Sequence, residues 1–500
     1  MGGFFGRLSH ATERFIDETS EHLIVLLILI GFVVLWMIFW TVSTAPLDIH
    51  IDADEAFIWA RHFAFGYKHP PVTAWVFALW FAVFPQQKWA VDLLIVVSDA
   101  VALAITWRLL RDHLDKNRAL LGLIALILVP LYTVKAEVLN ANTVMMPFWS
   151  ATLLFYLRAR RGLGVLDSFL AGVFASLTML GKYWAVFLFA GMAVAAVSRP
   201  GARRFWRSPA PYVMAAGAII FIAPHVWWLV NERGGGAIQF AESVATAGPF
   251  GDTLMKTVSY LVGAVMYIAA PLIFLVGLRP SKAALADIAW PGDDDRRQAL
   301  LLLIVPLVLP ALVNLVIPYR ITPDWTFPNW APLPVVLYGS FYLAIDIRAT
   351  ARAGLAGLAI VLAIVLASPV IACIRIMSGP DQFRPHFRQA ADLATQMSAQ
   401  PVRLYWGSDG IVGGMQAYLP QARYLPLPLS PEGRAALRAK GLVIVCLTGD
   451  LSCREVAETM TTPGAVTTAA ALTRSFLGIS GPPLNVQIVV LPPAAADKAS

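Results

Sequence analysis

Residues 23–42 read LIVLLILIGFVVLWMIFWTV, a run without a single charged side chain. A helix that spans a bilayer needs roughly 20 largely apolar residues, and this run meets that requirement. Further stretches come close to the same length and composition: 120–134, 212–230, 258–278, 300–317 and 355–377. The sequence therefore predicts a polytopic membrane protein built on transmembrane helices.

Composition supports that class. Of the 500 residues, 58% are apolar and 14% are charged, whereas average soluble domains are roughly 45–50% apolar and about 25% charged. The net charge is +7, but the basic residues form short clusters between apolar runs and no basic stripe with interleaved aromatics. This placement is typical of loops that set membrane orientation, and it disfavours nucleic-acid binding.

Lysine and arginine are concentrated in alternate inter-helix segments, which predicts that these segments and the N-terminus face the cytoplasm. The basic set comprises Arg108, Arg111, Lys116 and Arg118; Arg158, Arg160 and Arg161; Arg199, Arg203, Arg204 and Arg207; Arg279, Lys282, Arg296 and Arg297; and Arg348 and Arg352. About eleven spans satisfy the alternation. This count divides residues 166–197 into two short helices that turn near Lys182; one kinked span there would move the C-terminal region to the cytoplasm.

The chain changes character at residue 378. Predicted strands at 402–406, 442–447 and 485–491 alternate with predicted helices at 385–399, 431–440 and 452–461. We therefore expect a membrane domain over 1–377 and a soluble α/β domain over 378–500, which is long enough to hold its own core. Cys446 and Cys453 lie in that second domain; a disulfide and a buried free thiol are both compatible with their spacing.

The first outer loop, about residues 43–88, contains DIHIDADEAFIWAR at 48–61. Acidic residues directly after a membrane helix are costly unless they are paired or used. Phe57, Ile58 and Ala60 follow them and, with Phe63 and Ala64, predict an amphipathic helix on the membrane surface. That helix would hold Asp54 and Glu55 at its N-terminal end. A solvated acidic helix start remains the alternative.

The same loop continues as GYKHPPVTAW at 66–75. The two prolines end one helix and begin the next. Lys68 and His69 precede them, either as a simple cap and headgroup contact or as cations that face an anionic ligand.

The order Asp-Glu, Gly-Tyr and His-Pro-Pro resembles the first periplasmic loop of the GT-C glycosyltransferase superfamily. The branch it resembles most contains the protein O-mannosyltransferases and the bacterial aminoarabinose and galacturonic acid transferases that modify lipid A. Three later motifs occur in that family's order: Asn140-Ala141-Asn142-Thr143, Leu180-Gly181-Lys182-Tyr183, and PDWTFPNW at 323–330. The resemblance implies a GT-C all-α membrane domain, followed here by the small α/β domain.

The resemblance also implies a reaction, an inverting glycosyl transfer at the periplasmic face of the inner membrane. The donor sugar is carried on a polyprenyl phosphate, and an acceptor hydroxyl or phosphate attacks its anomeric carbon. The family's catalytic acid falls on Asp54, as general base or as a group that orients the acceptor. His69, then Lys182, then Arg320 are the candidates to stabilise the leaving phosphate.

Further candidates for donor or acceptor binding are Asp52, Glu55, Lys68, Asn140, Asn142, Tyr183, Trp325 and Asn329. Asn142 stands where relatives often carry a second acid, and an amide cannot act as a base. For Lys182 a snorkelling lysine is the alternative. For the aromatic loop around Trp325 the alternative is membrane anchoring. His225, in an apolar span, is interpreted as a packing histidine.

We expect no cofactor and no catalytic metal, since no His/Glu cluster has metal-ligand spacing; a divalent ion at Asp52, Asp54 and Glu55 stays open. The expected partners are a polyprenyl-phosphate-linked sugar, membrane lipids and an acceptor. A glycolipid such as lipid A is favoured over a polysaccharide or a protein. A lipid or sugar transporter is the rival hypothesis, and it requires ionisable groups near the bilayer midplane. Asp92 and Asp99 are the main residues of that kind.

Overall fold

The computed structural model describes residues 2–60, 63–67, 69–198, 201–231, 244–245, 248–379, 384, 386–425, 431–461 and 464–493, without the side chains of 2–5, 54, 409, 410, 431 and 438. The chain forms two compact units. The first unit comprises Met1–Met37, Phe63–Val76 and Leu93–Val365, and the second unit comprises Ile38–His62, Phe77–Asp92 and Leu366–Ser500. The sequence analysis did not predict that two N-terminal segments would group with the C-terminal region. The predicted boundary at residue 378 stays a prediction.

Most of the chain before residue 378 is helical, as predicted. Its α-helices are Gly2–Glu18, Glu21–Ser43, Ile51–Ala60, Val72–Phe81, Lys88–His113, Lys116–Ile127, Ala141–Gly162, Val165–Gly181, Val186–Val197, Ala202–Trp206, Ala210–Asn231, Phe250–Tyr267, Ala269–Gly277, Lys282–Ala289, Asp294–Val316, Leu333–Tyr338, Ile347–Leu366 and Ser368–Met377. Short 3-10 helices cover Pro130–Tyr132, Tyr183–Ala185 and Pro323–Trp330.

Several of these helices are long and apolar enough to cross a bilayer. Among the described residues there are five: Glu21–Ser43, Lys88–His113, Ala210–Asn231, Asp294–Val316 and Ile347–Leu366. A sixth candidate consists of Phe250–Tyr267 and Ala269–Gly277, which meet at a bend of 50°. The membrane class is thus confirmed at the level of several apolar helices, whereas the number of about eleven spans stays a prediction.

The predicted turn near Lys182 is confirmed. The helix Val165–Gly181 ends there because Lys182 adopts an extended backbone conformation, with φ −159° and ψ 136°. The chain then makes one 3-10 turn and continues as Val186–Val197. A second break divides the apolar stretch 355–377 at Ala367, where Pro369 lies in the first turn of the following helix, a position that suits proline.

Ion pairs and a hydrogen bond connect two of the basic loops with each other and with the N-terminal segment of the first unit. Arg111 Nε lies 2.9 Å from Glu21 Oε2, and Arg158 Nε lies 2.5 Å from Asp112 Oδ2. Lys116 Nζ donates to the Thr19 carbonyl at 3.1 Å. These contacts join two of the predicted cytoplasmic loops to the N-terminal segment. The pattern agrees with a common side for the N-terminus and the basic loops.

The second unit contains a mixed five-stranded sheet with the order β2-β1-β3-β7-β4. The strands are β1 Leu404–Gly407, β2 Arg423–Tyr424, β3 Leu442–Leu447, β4 Val466–Leu472, β5 Ser475–Phe476, β6 Ile479–Ser480 and β7 Leu484–Leu491; β5 and β6 pair separately. Strand β1 runs parallel to β2 and β3, whereas β7 is antiparallel to β3 and β4. Helices cover Phe387–Met397, Asp409–Val412, Pro431–Lys440 and Leu451–Met460.

All three predicted strands and all three predicted helices of this region are confirmed. Strand β4 was missed because its sequence, VTTAAAL, lacks the alternation of large apolar and polar side chains that marks a half-buried strand. Strand β3 forms the centre of the core. Its residues Val443 and Val445 pack on one face of the sheet, and Ile444 and Cys446 on the other, as the alternation of side chains along a strand requires.

The helix Ile51–Ala60 also belongs to the second unit. It buries Ala53, Ala56 and Phe57, and the Phe57 ring lies 4.6 Å from the Phe81 ring. Ile58, in contrast, is 42% exposed, because successive helical residues point about 100° apart. That this helix lies on a membrane surface stays a prediction.

Cys446 and Cys453 form a disulfide, with their Cα atoms 5.6 Å apart. The bond ties β3 to the first turn of the helix Leu451–Met460, where the Asp450 carboxylate accepts the backbone N–H of Cys453 at 3.1 Å. The sequence was compatible with a disulfide and with a buried free thiol, and the structure contains the disulfide. Disulfides persist in oxidising compartments such as the periplasm.

We expect replacement of Cys453 by Ser to destabilise the sheet by about 2 kcal/mol, because a short closed loop constrains the unfolded chain. The measurement is hydrogen exchange of the β3 amides in the full-length protein. Cys373→Ser is the control, since Cys373 is a free thiol. Equal protection of β3 in both variants would contradict the expectation.

Candidate active site

Lys182 lies at the centre of a polar cluster in the first unit. Its Nζ donates to Asn142 Oδ1 at 2.7 Å and lies 4.6 Å from the centroid of the Trp325 ring. The contact lies at a helix break, since the helix Val165–Gly181 ends directly before Lys182. The structure thus brings together three residues that the sequence predicted separately.

Asn142 is held by the start of its own helix. Asn140 is the N-cap of Ala141–Gly162, and its side chain accepts the backbone N–H of Asn142 at 2.9 Å, a typical capping bond. Asn142 is only 7% exposed. Because a carboxamide carries no charge, the bond orients the ammonium group of Lys182 without neutralising it. This is the physical consequence of having Asn where relatives often carry an acid.

The Trp325 ring, which lies against the Lys182 ammonium, packs against two further aromatic rings. Trp325 packs edge-on against Trp184 at 5.0 Å and stacks on Tyr319 at 6.5 Å between ring centroids. Burial raises the pKa of the Tyr319 phenol, so this group stays protonated and uncharged. A cation against an indole face is stabilised most where water is excluded. These contacts hold the Trp325 ring in place against the Lys182 ammonium.

The rest of the aromatic loop is largely buried. Asn329 is 0% exposed, and neither polar atom of its side chain has a hydrogen-bond partner among the described residues. Such an orphaned amide calls for an explanation, because an unsatisfied buried group is destabilising. Arg320, in contrast, is exposed. Its backbone N–H donates to the Val244 carbonyl at 2.7 Å.

An ion pair in the same unit was not predicted. Lys135 Nζ lies 3.6 Å from Asp324 Oδ2, and the Tyr267 hydroxyl donates to Asp324 Oδ1. Asp324 directly precedes Trp325 in the sequence, so these bonds fix the start of the aromatic loop. The sequence feature that could have indicated this ion pair was the acidic residue inside the PDWTFPNW motif.

Tyr183 is linked to the first outer loop through His225. The Tyr183 hydroxyl and His225 Nε2 are 2.9 Å apart, and His225 Nδ1 bonds the Phe65 carbonyl. The imidazole also stacks on Trp228 at 5.9 Å. His225 is therefore a packing residue, as interpreted, and in addition a connector between two predicted motifs. A polar residue beside Pro224 near the end of an apolar helix was the available signal.

Position 66, next to the Phe65 carbonyl that His225 bonds, requires glycine. A Cβ at position 66 would lie 2.2 Å from the Trp228 ring, so any side chain would displace the indole. The loop is also bonded internally. The Tyr67 hydroxyl accepts the Ala64 N–H at 3.1 Å, and the His69 carbonyl accepts the Tyr67 N–H at 3.0 Å. These bonds fix the backbone that carries His69, whereas Lys68 lies outside the described residues.

The acidic helix start belongs to the second unit. The backbone N–H of Asp52 donates to His50 Nδ1 at 3.1 Å, and Asp52 Oδ2 lies 3.7 Å from the same nitrogen. Asp52 and Glu55 are both half-buried. For Asp54 the structure describes the helical backbone, and its side chain lies outside the described atoms.

No group of three or more potential metal ligands occurs among the residues that the structure describes. The absence of a catalytic metal nevertheless stays a prediction. The predicted divalent alternative depends on Asp54, whose side chain is not described.

Comparisons with known proteins match a part of the chain that includes Asn142 and Lys182. Residues 68–228 match the family model described as dolichyl-phosphate-mannose-protein mannosyltransferase. Over 311 residues, the chain is 24% identical to the lipid A galacturonosyltransferase RgtD of Rhizobium johnstonii. This match covers 61% of the chain and 62% of the relative.

The structure resembles crystal structures of ArnT from Cupriavidus metallidurans. The form bound to undecaprenyl phosphate gives a TM-score of 0.59 at 13% identity, covering 94% of this chain and 98% of that one. The apo form gives 0.58 at 12% identity, with 92% and 97% covered. At this identity the structural likeness establishes the GT-C fold, and the matched family region contains the Asn140, Lys182 and His225 motifs.

We expect His225→Ala to release the loop at Phe65, because it removes both the bond to the Phe65 carbonyl and the stacking partner of Trp228. Hydrogen exchange at Ala64 and Tyr67 should then accelerate by at least about tenfold, as for a loss of roughly 1.4 kcal/mol. Trp227→Ala is the matched control, since Trp227 is 62% exposed on the same helix. Unchanged exchange in the His225 variant would refute the connector role.

Proposed function

We propose that the chain is an inverting glycosyltransferase that moves a sugar from a polyprenyl phosphate to a glycolipid such as lipid A. The observation that carries the proposal is the Lys182 ammonium, which is held by the neutral Asn142 amide and the Trp325 ring. An ammonium group that is oriented in this way suits a leaving phosphate, on which negative charge develops. The activities named for RgtD and the mannosyltransferase family support the same reaction class.

The reaction is a single displacement. An acceptor oxygen attacks the anomeric carbon, the bond from that carbon to the phosphate oxygen breaks, and the polyprenyl phosphate leaves with the electron pair. If the acceptor is a hydroxyl, Asp54 takes its proton as general base. If the acceptor is an ionised phosphate, Asp54 only orients it. The assignment of Asp54 rests on the resemblance of the first outer loop to the family motif.

The remaining site residues have binding roles in this proposal. Lys182 and His69 stabilise the leaving phosphate, while Trp325 and Tyr183 shape the donor site. Weaker candidates for donor or acceptor contacts are Asp52, Glu55, Lys68, Asn140, Asn142, Arg320 and Asn329.

The proposal places the enzyme in the bacterial inner membrane, with about eleven spans and with the C-terminal region in the periplasm. The disulfide Cys446–Cys453 supports an oxidising compartment for that region. The enzyme needs no cofactor and no catalytic metal. The acceptor is a lipid rather than a protein or a polysaccharide.

A transporter is less well supported. That hypothesis depended on Asp92 and Asp99 as ionisable groups inside a span. Asp92 pairs with Lys88 at 2.7 Å, one helical turn away, so it serves a local ion pair at the start of its helix. Asp99 alone is a weak basis for a translocation pathway.

We expect Asp54→Asn to lower kcat by a factor of about 10²–10⁴, the usual contribution of a general base. The measurement is transfer from a sugar-charged polyprenyl phosphate to lipid A by the purified protein, followed by mass spectrometry. Asp252→Asn is the control, because Asp252 is an exposed acid in the first turn of another helix. A normal rate in the Asp54 variant would remove that residue from catalysis.

A further inference from the structure

Asp48 precedes the acidic helix Ile51–Ala60 and bonds the C-terminal region of the second unit. Its carboxylate accepts the Tyr418 hydroxyl at 3.1 Å and the backbone N–H of Arg388 at 3.3 Å. Arg474 Nη2 lies 3.7 Å from Asp48 Oδ2, and the two side chains are 9% and 14% exposed, so this ion pair is only weakly screened. Three groups that follow Asp48 by at least 340 residues therefore converge on one carboxylate.

The turn that carries Tyr418 is fixed to the sheet. Tyr418 directly follows the 3-10 helix Met415–Ala417, whose central residue, Gln416, is 4% exposed. The Gln416 amide nitrogen donates to two backbone carbonyls of the following turn, at 3.1 and 3.0 Å, and its oxygen accepts the hydroxyl of Tyr405 in strand β1 at 3.1 Å. Because both polar atoms of this buried side chain are bonded, the turn has a defined position on the sheet.

The backbone donor to Asp48 lies next to that turn. It belongs to the first turn of the helix Phe387–Met397, where a negative charge is stabilised by the helix N-terminus. Phe387 is 0% exposed, and a Cβ at Gly414 would lie 2.0 Å from its ring. The start of this helix and the turn before Tyr418 therefore pack closely, and the donors to Asp48 belong to one packed corner of the C-terminal region.

Only two residues separate Asp48 from the acidic helix, and both are bonded. The Tyr418 hydroxyl also bonds the backbone of Ile49, which is 4% exposed. His50 Nδ1 accepts the backbone N–H of Asp52 at 3.1 Å, as the side chain of an N-cap residue does. The position of the helix start thus follows from the bonds at Asp48 and Tyr418.

The sheet has a core of its own. The hydrophobic clusters on its two faces consist of residues between 390 and 491. The helix Ile51–Ala60, in contrast, lies against the 3-10 helix Met415–Ala417 and packs Phe57 on the rings of Phe77 and Phe81. The main consequence of the bonds at Asp48 is therefore the placement of the helix, since the sheet is packed without them.

We propose that the C-terminal region positions the helix that carries Asp54, and that Asp48 and Tyr418 are the positioning residues. Asp54 is the fourth residue of this helix, so its backbone follows any shift of the helix start. A misplacement of about 1 Å at the reacting groups can lower a rate by about 10²-fold. The catalytic consequence rests on the proposed function, whereas the support of the helix does not.

The first test is hydrogen exchange of the Ile51–Ala60 amides in the full-length protein. Asp48→Ala removes the carboxylate and Tyr418→Phe removes only a hydroxyl, and each should accelerate this exchange by about tenfold or more, as for a lost contact worth one decade. Exchange of the β3 amides should stay unchanged, because the sheet keeps its core. Asp392→Ala is the matched control, since Asp392 is a 61% exposed acid on the helix Phe387–Met397. If Asp48→Ala also loses the protection of β3, Tyr418→Phe decides.

The second test is transfer from a sugar-charged polyprenyl phosphate to lipid A. In Asp48→Ala, kcat should fall by about 10- to 100-fold with an unchanged donor KM, because Lys182 belongs to the first unit. In an Asp54→Asn background the same substitution should cause little further loss, since residues that act through one another have non-additive effects. A loss of stability alone would add to the effect of Asp54→Asn.

Three results would overturn the proposal: unchanged helix exchange in both variants, accelerated exchange with a normal kcat, or additive losses of kcat in the double variant. The proposed function fails separately. If the wild type transfers no sugar while both variants accelerate exchange of the helix, the transferase is refuted and the support of the helix by the C-terminal region stands.

Discussion

The candidate site depends on one interaction, the hydrogen bond from the Lys182 ammonium to the uncharged side chain of Asn142. The Asn142 amide and the Trp325 indole orient this cation. An oriented ammonium suits a phosphate on which negative charge develops, and the chemistry that we propose follows from that orientation.

The fold provides this arrangement through interruptions of regular structure. The helix Val165–Gly181 ends one residue before Lys182, the N-cap Asn140 fixes Asn142, and a 3-10 segment carries Trp325. Next to them, His225 connects Tyr183 with the loop at Phe65. Lys182 and Asn142 thus lie where a helix ends or begins. Long helices position these ends, and the ends carry the chemistry.

The sequence predicted the features that depend on local patterns. Uncharged apolar runs predicted the helices, and the alternation of basic loops predicted the break at Lys182. Strand-like runs bordered by turn residues predicted β3 and β7. It could not predict pairings between distant segments, such as Lys135 with Asp324 or His225 with Phe65, because no local pattern encodes a partner. Strand β4 escaped because alanine and threonine mark neither period clearly.

The most direct test of the central claim is the affinity of the purified protein for undecaprenyl phosphate, measured for the wild type and for Lys182→Met. Loss of a charge-assisted hydrogen bond should raise Kd by about 10- to 100-fold. Lys256→Met, which removes an exposed lysine of the same unit, should leave Kd unchanged. Equal affinity of the Lys182 variant and the wild type would contradict the account.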